Sequence, residues 1–137
     1  MGRLGDEAKR TLDWMADAGM RAWQLLPLGP TGYGDSPYQA FSAFAGNPYL
    51  IDTRPLVEHR LLNADEEAAL HELPADHADF GALYRLKWSL LRLAHQRFLE
   101  QKRSYLPNYG LFKDFQSAHA AWLEPFCAFM ALKERFN

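Results

Sequence analysis

The spacing of apolar positions changes character along the chain. Over residues 5–19, Ala8, Leu12, Met15 and Ala16 recur at helical spacing, with Glu7, Lys9, Arg10, Asp13 and Asp17 between them, which predicts an amphipathic helix. Asp6 and Glu7 suit its first turn, and Gly19 its C-terminal stop. Residues 20–27 then read as a short, continuously apolar strand bounded by Gly19 and Pro27. From residue 31 to 52 no period survives, although Phe41, Phe44, Tyr49, Leu50 and Ile51 would anchor so long an excursion to the body of the protein.

After Arg54 the pattern is helical throughout. Pro55 opens a short helix reaching Leu61. Asn63 and Glu66 form a capping-box pair for the next, which ends before Pro74. Asp79 starts the strongest helix, from Phe80 to about Lys102, with Leu83, Leu86, Leu90, Leu93, Ala94 and Phe98 on its apolar face and Pro107 and Gly110 as breakers. Residues 111–119 predict a further helix with Phe112, Phe115 and Ala118 on one side. A last helix, with Pro125 in its first turn, runs to Arg135 through Phe126, Phe129, Met130 and Leu132.

A helix leading directly into a buried strand is the αβ step of a parallel sheet, so the fold class reads as α/β, mostly helical in this chain. A lone strand cannot satisfy its own backbone N–H and C=O groups. Either it pairs with a second copy, or the chain is a piece of a larger α/β protein; the second reading is favoured.

Composition narrows the partners. The 137 residues are 48% hydrophobic and 14% aromatic, with four Trp and nine Phe, which excludes a disordered segment. A net charge of −2 provides no basic field for nucleic acid or an anionic membrane. The lone Cys127 lies in an apolar stretch and reads as a small buried hydrophobe, with no disulfide available within the chain. The first ten residues are charged, with no apolar run of a signal peptide, and no stretch is long enough to span a membrane. A soluble, cytoplasmic protein is expected.

The segment from Trp23 to Gln39 carries the candidate chemistry. Glycines and prolines shape its backbone, and Tyr33, Asp35, Ser36 and Tyr38 project from it. Saccharides are held by an aromatic ring against the apolar face of the pyranose and polar groups against its hydroxyls. From composition alone, a turn with Tyr and Asp is more often ordinary packing with a hydroxyl outlet. Retaining glycosyl transfer needs two carboxyl groups about 5 Å apart. Asp35 and Asp52 are the only carboxylates in the region, and their spacing does not make them a pair; Asp35 is expected to brace the loop and Asp52 to cap the helix near Pro55. The five histidines lack metal-ligand spacing. The glycine-rich run at residues 29–34 lacks the Lys-Ser/Thr ending of a phosphate loop, and Pro30 removes a donor. The basic stretch at residues 97–103 reads as a solvated helix face.

The run from Trp23 to Asp52, through residues 41–52 (FSAFAGNPYLID), closely resembles the signature of the 4-α-glucanotransferases, the amylomaltase or disproportionating-enzyme family. The resemblance extends at lower specificity to residues 5–19, 83–87 and 129–133. It implies a partial (β/α)8 TIM barrel with an inserted helical subdomain, residues 1–53 being a barrel segment and 54–137 the insertion. It also implies a cofactor-free enzyme that passes α-1,4-glucan segments between maltodextrins, with glucose as an acceptor, through a covalent glycosyl-enzyme. On that pattern Tyr38 is the aromatic platform beside the scissile bond, Ser36 and Asp35 hold or brace neighbouring groups, and Tyr33 lines the glucan path.

The family's catalytic carboxylates come from later strands and its first barrel strand from earlier sequence, so the chain is expected to be an N-terminal portion, inactive alone and without catalytic residues or metal. Two other readings remain: a stand-alone maltodextrin-binding module, and a helical module that self-associates through an exposed barrel edge.

Overall fold

The first predicted helix is present as α1 (Asp6–Asp17) in the computed structural model of the chain, which describes residues 3–106 and 109–136. Gly19 ends it. At φ 77° it takes the left-handed conformation, so that its own N–H donates to Ala16 O and that of Met20 to Met15 O, both at 2.9 Å. The apolar stripe of α1 meets no core, however: Leu12 is exposed, and no α1 residue is buried.

The expectation of a buried strand at residues 20–27 is corrected. These residues form no strand, and Met20, Trp23, Leu25 and Leu26 are all exposed. A strand exists only through hydrogen bonds to a neighbour, and among the described residues nothing lies alongside to make them. The strands that do form lie elsewhere, where only a helix break was expected. β1 (Tyr105–Leu106) and β2 (Gly110–Leu111) are a minimal antiparallel hairpin, with Tyr105 opposite Leu111 and Leu106 opposite Gly110. Gly110 sits at φ 76°, which a glycine tolerates without strain. Pro107, the other expected breaker, falls outside the described residues. The described chain is thus mostly helical with one two-stranded sheet, and it contains no barrel.

The core sits in the helical half. Pro55 occupies the first turn of α2 (Arg54–Glu58). α3 (Ala64–Ala68) begins with the predicted capping box: the Glu66 N–H donates to Asn63 Oδ1 at 2.8 Å, and the Asn63 N–H to Glu66 Oε2 at 2.9 Å. A 3-10 turn, Ala69–Glu72, carries it to its stop before Pro74. α4 (Phe80–Glu100) is capped by Asp79, whose carboxylate accepts from the Ala82 N–H at 2.9 Å. Leu61 and Leu62, between α2 and α3, pack against Leu90 and Ala94 of α4, with Leu56, Val57, Leu70, Leu93 and Phe98 around them. Arg97 was expected on a solvated face. It instead holds Glu66 through two hydrogen bonds of 2.6 and 2.7 Å and donates to Leu61 O at 3.2 Å, tying α4 to the start of α3.

Where two helices were predicted there is one, α5 (Phe112–Phe136), with Pro125 inside it. An internal proline removes one hydrogen bond and crowds the preceding turn. The helix runs on because Trp122, before the proline, stacks on Phe44 and Phe129, after it, meets Phe41, so both sides of the break are held to the same segment. Cys127, expected to be buried, is exposed, because α5 lies across the surface and buries none of its residues fully.

Candidate functional site

The loop that carries the predicted site residues is closed at its base by backbone pairing. Thr31 and Ala40 form an antiparallel bridge, and the Phe41 N–H donates to Pro30 O at 3.0 Å. A second tie follows, from the Asn47 N–H to Leu28 O at 2.7 Å. Gly29 is required where these strands of chain meet: a Cβ there would lie 2.7 Å from Ser42 O and 2.8 Å from the Ala40 Cβ. Farther on, the side-chain oxygen Oδ1 of Asn47 accepts from the Tyr49 N–H at 2.9 Å and opens the 3-10 turn Pro48–Leu50.

Between the ends of this pinch, residues 32–39 fold back as a tip. The Asp35 N–H donates to Gly32 O at 3.1 Å across a tight turn, with Gly34 at φ 86° and Asp35 itself at φ 52°. Asp35 braces the loop as expected, although its partner is a side chain: the Thr31 hydroxyl donates to Asp35 Oδ1 at 3.3 Å. Ser36 stands at the N-cap of the 3-10 turn Pro37–Gln39 with no capping bond from its side chain, and Pro37 starts that turn. Both tyrosines point away from the protein. Tyr33 is 103% exposed and Tyr38 is 74% exposed, values of rings that touch little else. The four predicted site residues therefore share one hydrogen-bonded, closed tip, with two open aromatic faces beside a hydroxyl and a carboxylate.

Asp52 belongs to a different structure. Its carboxylate accepts from the Arg54 side chain at 2.7 and 3.1 Å and from the Arg54 N–H at 3.3 Å, while the N-cap of α2 is Thr53 rather than Asp52 as expected. Arg54 reaches on to Asp6 at 3.0 Å, and so pins the start of α1. Beside this pair Glu67 is nearly buried and fully employed: it accepts from Thr53 Oγ1 at 2.8 Å and Arg3 at 2.9 Å, and bonds His71 Nε2 at 2.7 Å. Burial pushes both carboxyls up, but the hydrogen bonds and charges of Arg54 and Arg3 on Asp52, and of Thr53, His71 and Arg3 on Glu67, outweigh it and leave both below the ordinary carboxylate range. Lys87, also buried, donates from Nζ to Ile51 O. Burial, reinforced by the charge of Arg3, pulls its amine down to about 8. These groups lock the end of the loop to α3 and α4. Asp35 and Asp52 thus have separate partners and separate duties.

Phe41 and Asn47 are the residues that sequence reasoning did not single out for this site. Asn47 directly before Pro48 is a legible cap signal; Phe41 looked like one anchoring aromatic among several.

Comparison with known proteins settles the family. The sequence profile described as 4-alpha-glucanotransferase matches residues 1–137. The chain belongs to the 4-alpha-glucanotransferase family. It is 47% identical over 133 residues to the 4-alpha-glucanotransferase of Thermus thermophilus, covering 97% of this chain and 25% of that protein. The enzyme of the same name from Streptococcus pneumoniae is 41% identical across 100% of this chain and 26% of its own length. The chloroplastic/amyloplastic 4-alpha-glucanotransferase of Arabidopsis thaliana is 33% identical, covering 100% of this chain and 23% of its own. The chain therefore spans about a quarter of the length of the curated relatives it matches. No helix among the described residues is long and apolar enough to cross a membrane.

Proposed function

We propose that this chain supplies part of the glucan-binding wall of a 4-α-glucanotransferase, an enzyme that moves α-1,4-glucan segments between maltodextrins by a retaining double displacement. The observation that carries the reading is the closed tip at residues 32–39, which holds Tyr33 and Tyr38 open to solvent in a member of this family. A tyrosine ring offers an apolar face to a pyranose and a hydroxyl to its rim. A backbone fixed before the sugar arrives lowers the ordering cost of binding. In this reading Tyr38 is the platform beside the scissile bond, Tyr33 lines the glucan path, Ser36 donates to or accepts from a sugar hydroxyl, and Asp35 holds the turn. Residues 1–53 act as a barrel segment and 54–137 as a helical insertion, in a cytoplasmic enzyme that needs no cofactor because the acceptor hydroxyl of a second glucan completes the transfer.

Breaking the glycosidic bond with retention requires a carboxylate nucleophile and a second carboxyl about 5 Å away acting as acid and then base. Asp35 is engaged by Thr31 and Asp52 by Arg54, so neither is assigned that work. The chain by itself is inactive. Incubating it with maltotriose and separating the products is expected to give neither glucose nor longer maltodextrins; disproportionation would overturn the inactivity.

A further inference from the structure

The ring of Phe41 meets two parts of the chain. One is the backbone of Gly32: a Cβ placed there would sit 2.9 Å from Phe41 Cζ and 3.3 Å from Cε1, so the ring rests directly on the glycine that begins the tip. The other is α5. Its Phe129 ring meets Phe41 with centroids 5.6 Å apart, and the Lys133 ammonium stands 5.2 Å from the Phe41 centroid, within cation–π range. Phe129 and Lys133 are one helical turn apart, so a single face of α5 makes both contacts. The same helix is tied to α4 by the ion pair between Glu134 and Arg92, and its Trp122 stacks on Phe44 at 6.0 Å.

We propose that α5 positions the candidate glucan-binding tip through Phe41, with Phe129 and Lys133 holding the ring that packs on Gly32. That the tip receives a glucan rests on the function proposed above; the mechanical link does not. The backbone of Phe41 closes the base of the tip by donating to Pro30 O, and Gly32 O accepts the Asp35 N–H that shapes its end. Phe41 therefore supplies the N–H of one of these bonds and packs its ring against the residue that accepts the other. Phe129 and Lys133 are positioning residues: they act on the tip only through Phe41.

Amide hydrogen exchange on the 137-residue chain separates this role from ordinary packing. In Phe129→Ala and Lys133→Met, exchange at the Asp35 and Phe41 amides is expected to accelerate about three- to tenfold, the factor an aromatic or cation–π contact is worth. Exchange at Leu90 and Ala94, in the core, is expected to stay unchanged. In a Phe41→Ala background, adding either substitution is expected to cause no further change, since the ring is already gone. Unchanged exchange at Asp35 and Phe41, equal acceleration at tip and core, or full additivity with Phe41→Ala would each overturn the proposal. Phe129→Leu, which keeps the bulk of the side chain, guards against unfolding and is expected to show a smaller acceleration confined to the same two amides. A parallel titration of the unsubstituted chain with maltoheptaose tests the glucan reading by itself: no perturbation of the tip amides at any concentration would overturn that reading and leave the exchange result standing.

Discussion

Lys87 shows how far a single residue departs from what its letter predicts. At position i+4 from Leu83 and i−3 from Leu90, it sits on the apolar face of α4, where a lysine normally reaches for water. Here it is 3% exposed and spends its ammonium on Ile51 O, with Arg3, Asp52 and Glu67 as its charged neighbours. With the amine held at about 8 in the folded protein and 10.5 as its ordinary value, the unfolded chain binds this proton more tightly than the folded one between those limits. Stability is therefore expected to rise with pH across that window, by at most about 3 kcal/mol. Tyr49, whose hydroxyl is pushed up by burial and by the charges of Asp35 and Tyr84, loses its own contribution only at higher pH still. Urea unfolding at a series of pH values from neutral to about 9.5, in the unsubstituted chain and in Lys87→Met, checks this; the rise should be largely absent from the variant. Nothing in the local sequence marks Lys87 or Glu67 as buried, because their burial depends on partners at Arg3, Ile51 and Thr53 that folding brings together.

At the scale of elements, local chemistry was readable wherever both partners lay within a turn of each other. The capping box of Asn63 and Glu66, the Asp79 cap and the Gly19 stop form as the sequence predicts. Asn63→Ala removes the acceptor for the Glu66 N–H and is expected to cost about 1 kcal/mol, read as a lower urea midpoint. Part of that loss should appear as a weakened tie to α4, since Glu66 also holds Arg97. Elements whose state depends on remote contacts differ from what their local sequence predicts. Pro125 is a sound local signal for a helix start, yet α5 passes through it because aromatic contacts with Phe41 and Phe44 support the helix on both sides of the proline.

For the whole molecule, the feature with most consequence is the exposed, mostly apolar segment at residues 21–27, continuous with the exposed face of α1. Its backbone donors and acceptors find no partner among the described residues, and such a run favours pairing with another chain. The chain in isolation is expected to associate as its concentration rises, and Leu26→Lys, at a position 56% exposed, should shift light scattering toward the monomer. A concentration-independent monomer would show that the segment is inert.

The sequence by itself determined the helices between Arg54 and Glu100, the caps at Asn63 and Asp79, the shaped loop and, through its resemblance, the family. Those signals are encoded in neighbours along the chain or in long unbroken motifs. Only the tertiary structure decided that residues 20–27 stand unpaired, that Arg97 and Lys87 turn inward, that Cys127 is open, and that α5 reaches Gly32 by way of Phe41. Each of those outcomes depends on residues far apart in sequence, whose contact energies exist only once the chain has brought them within reach.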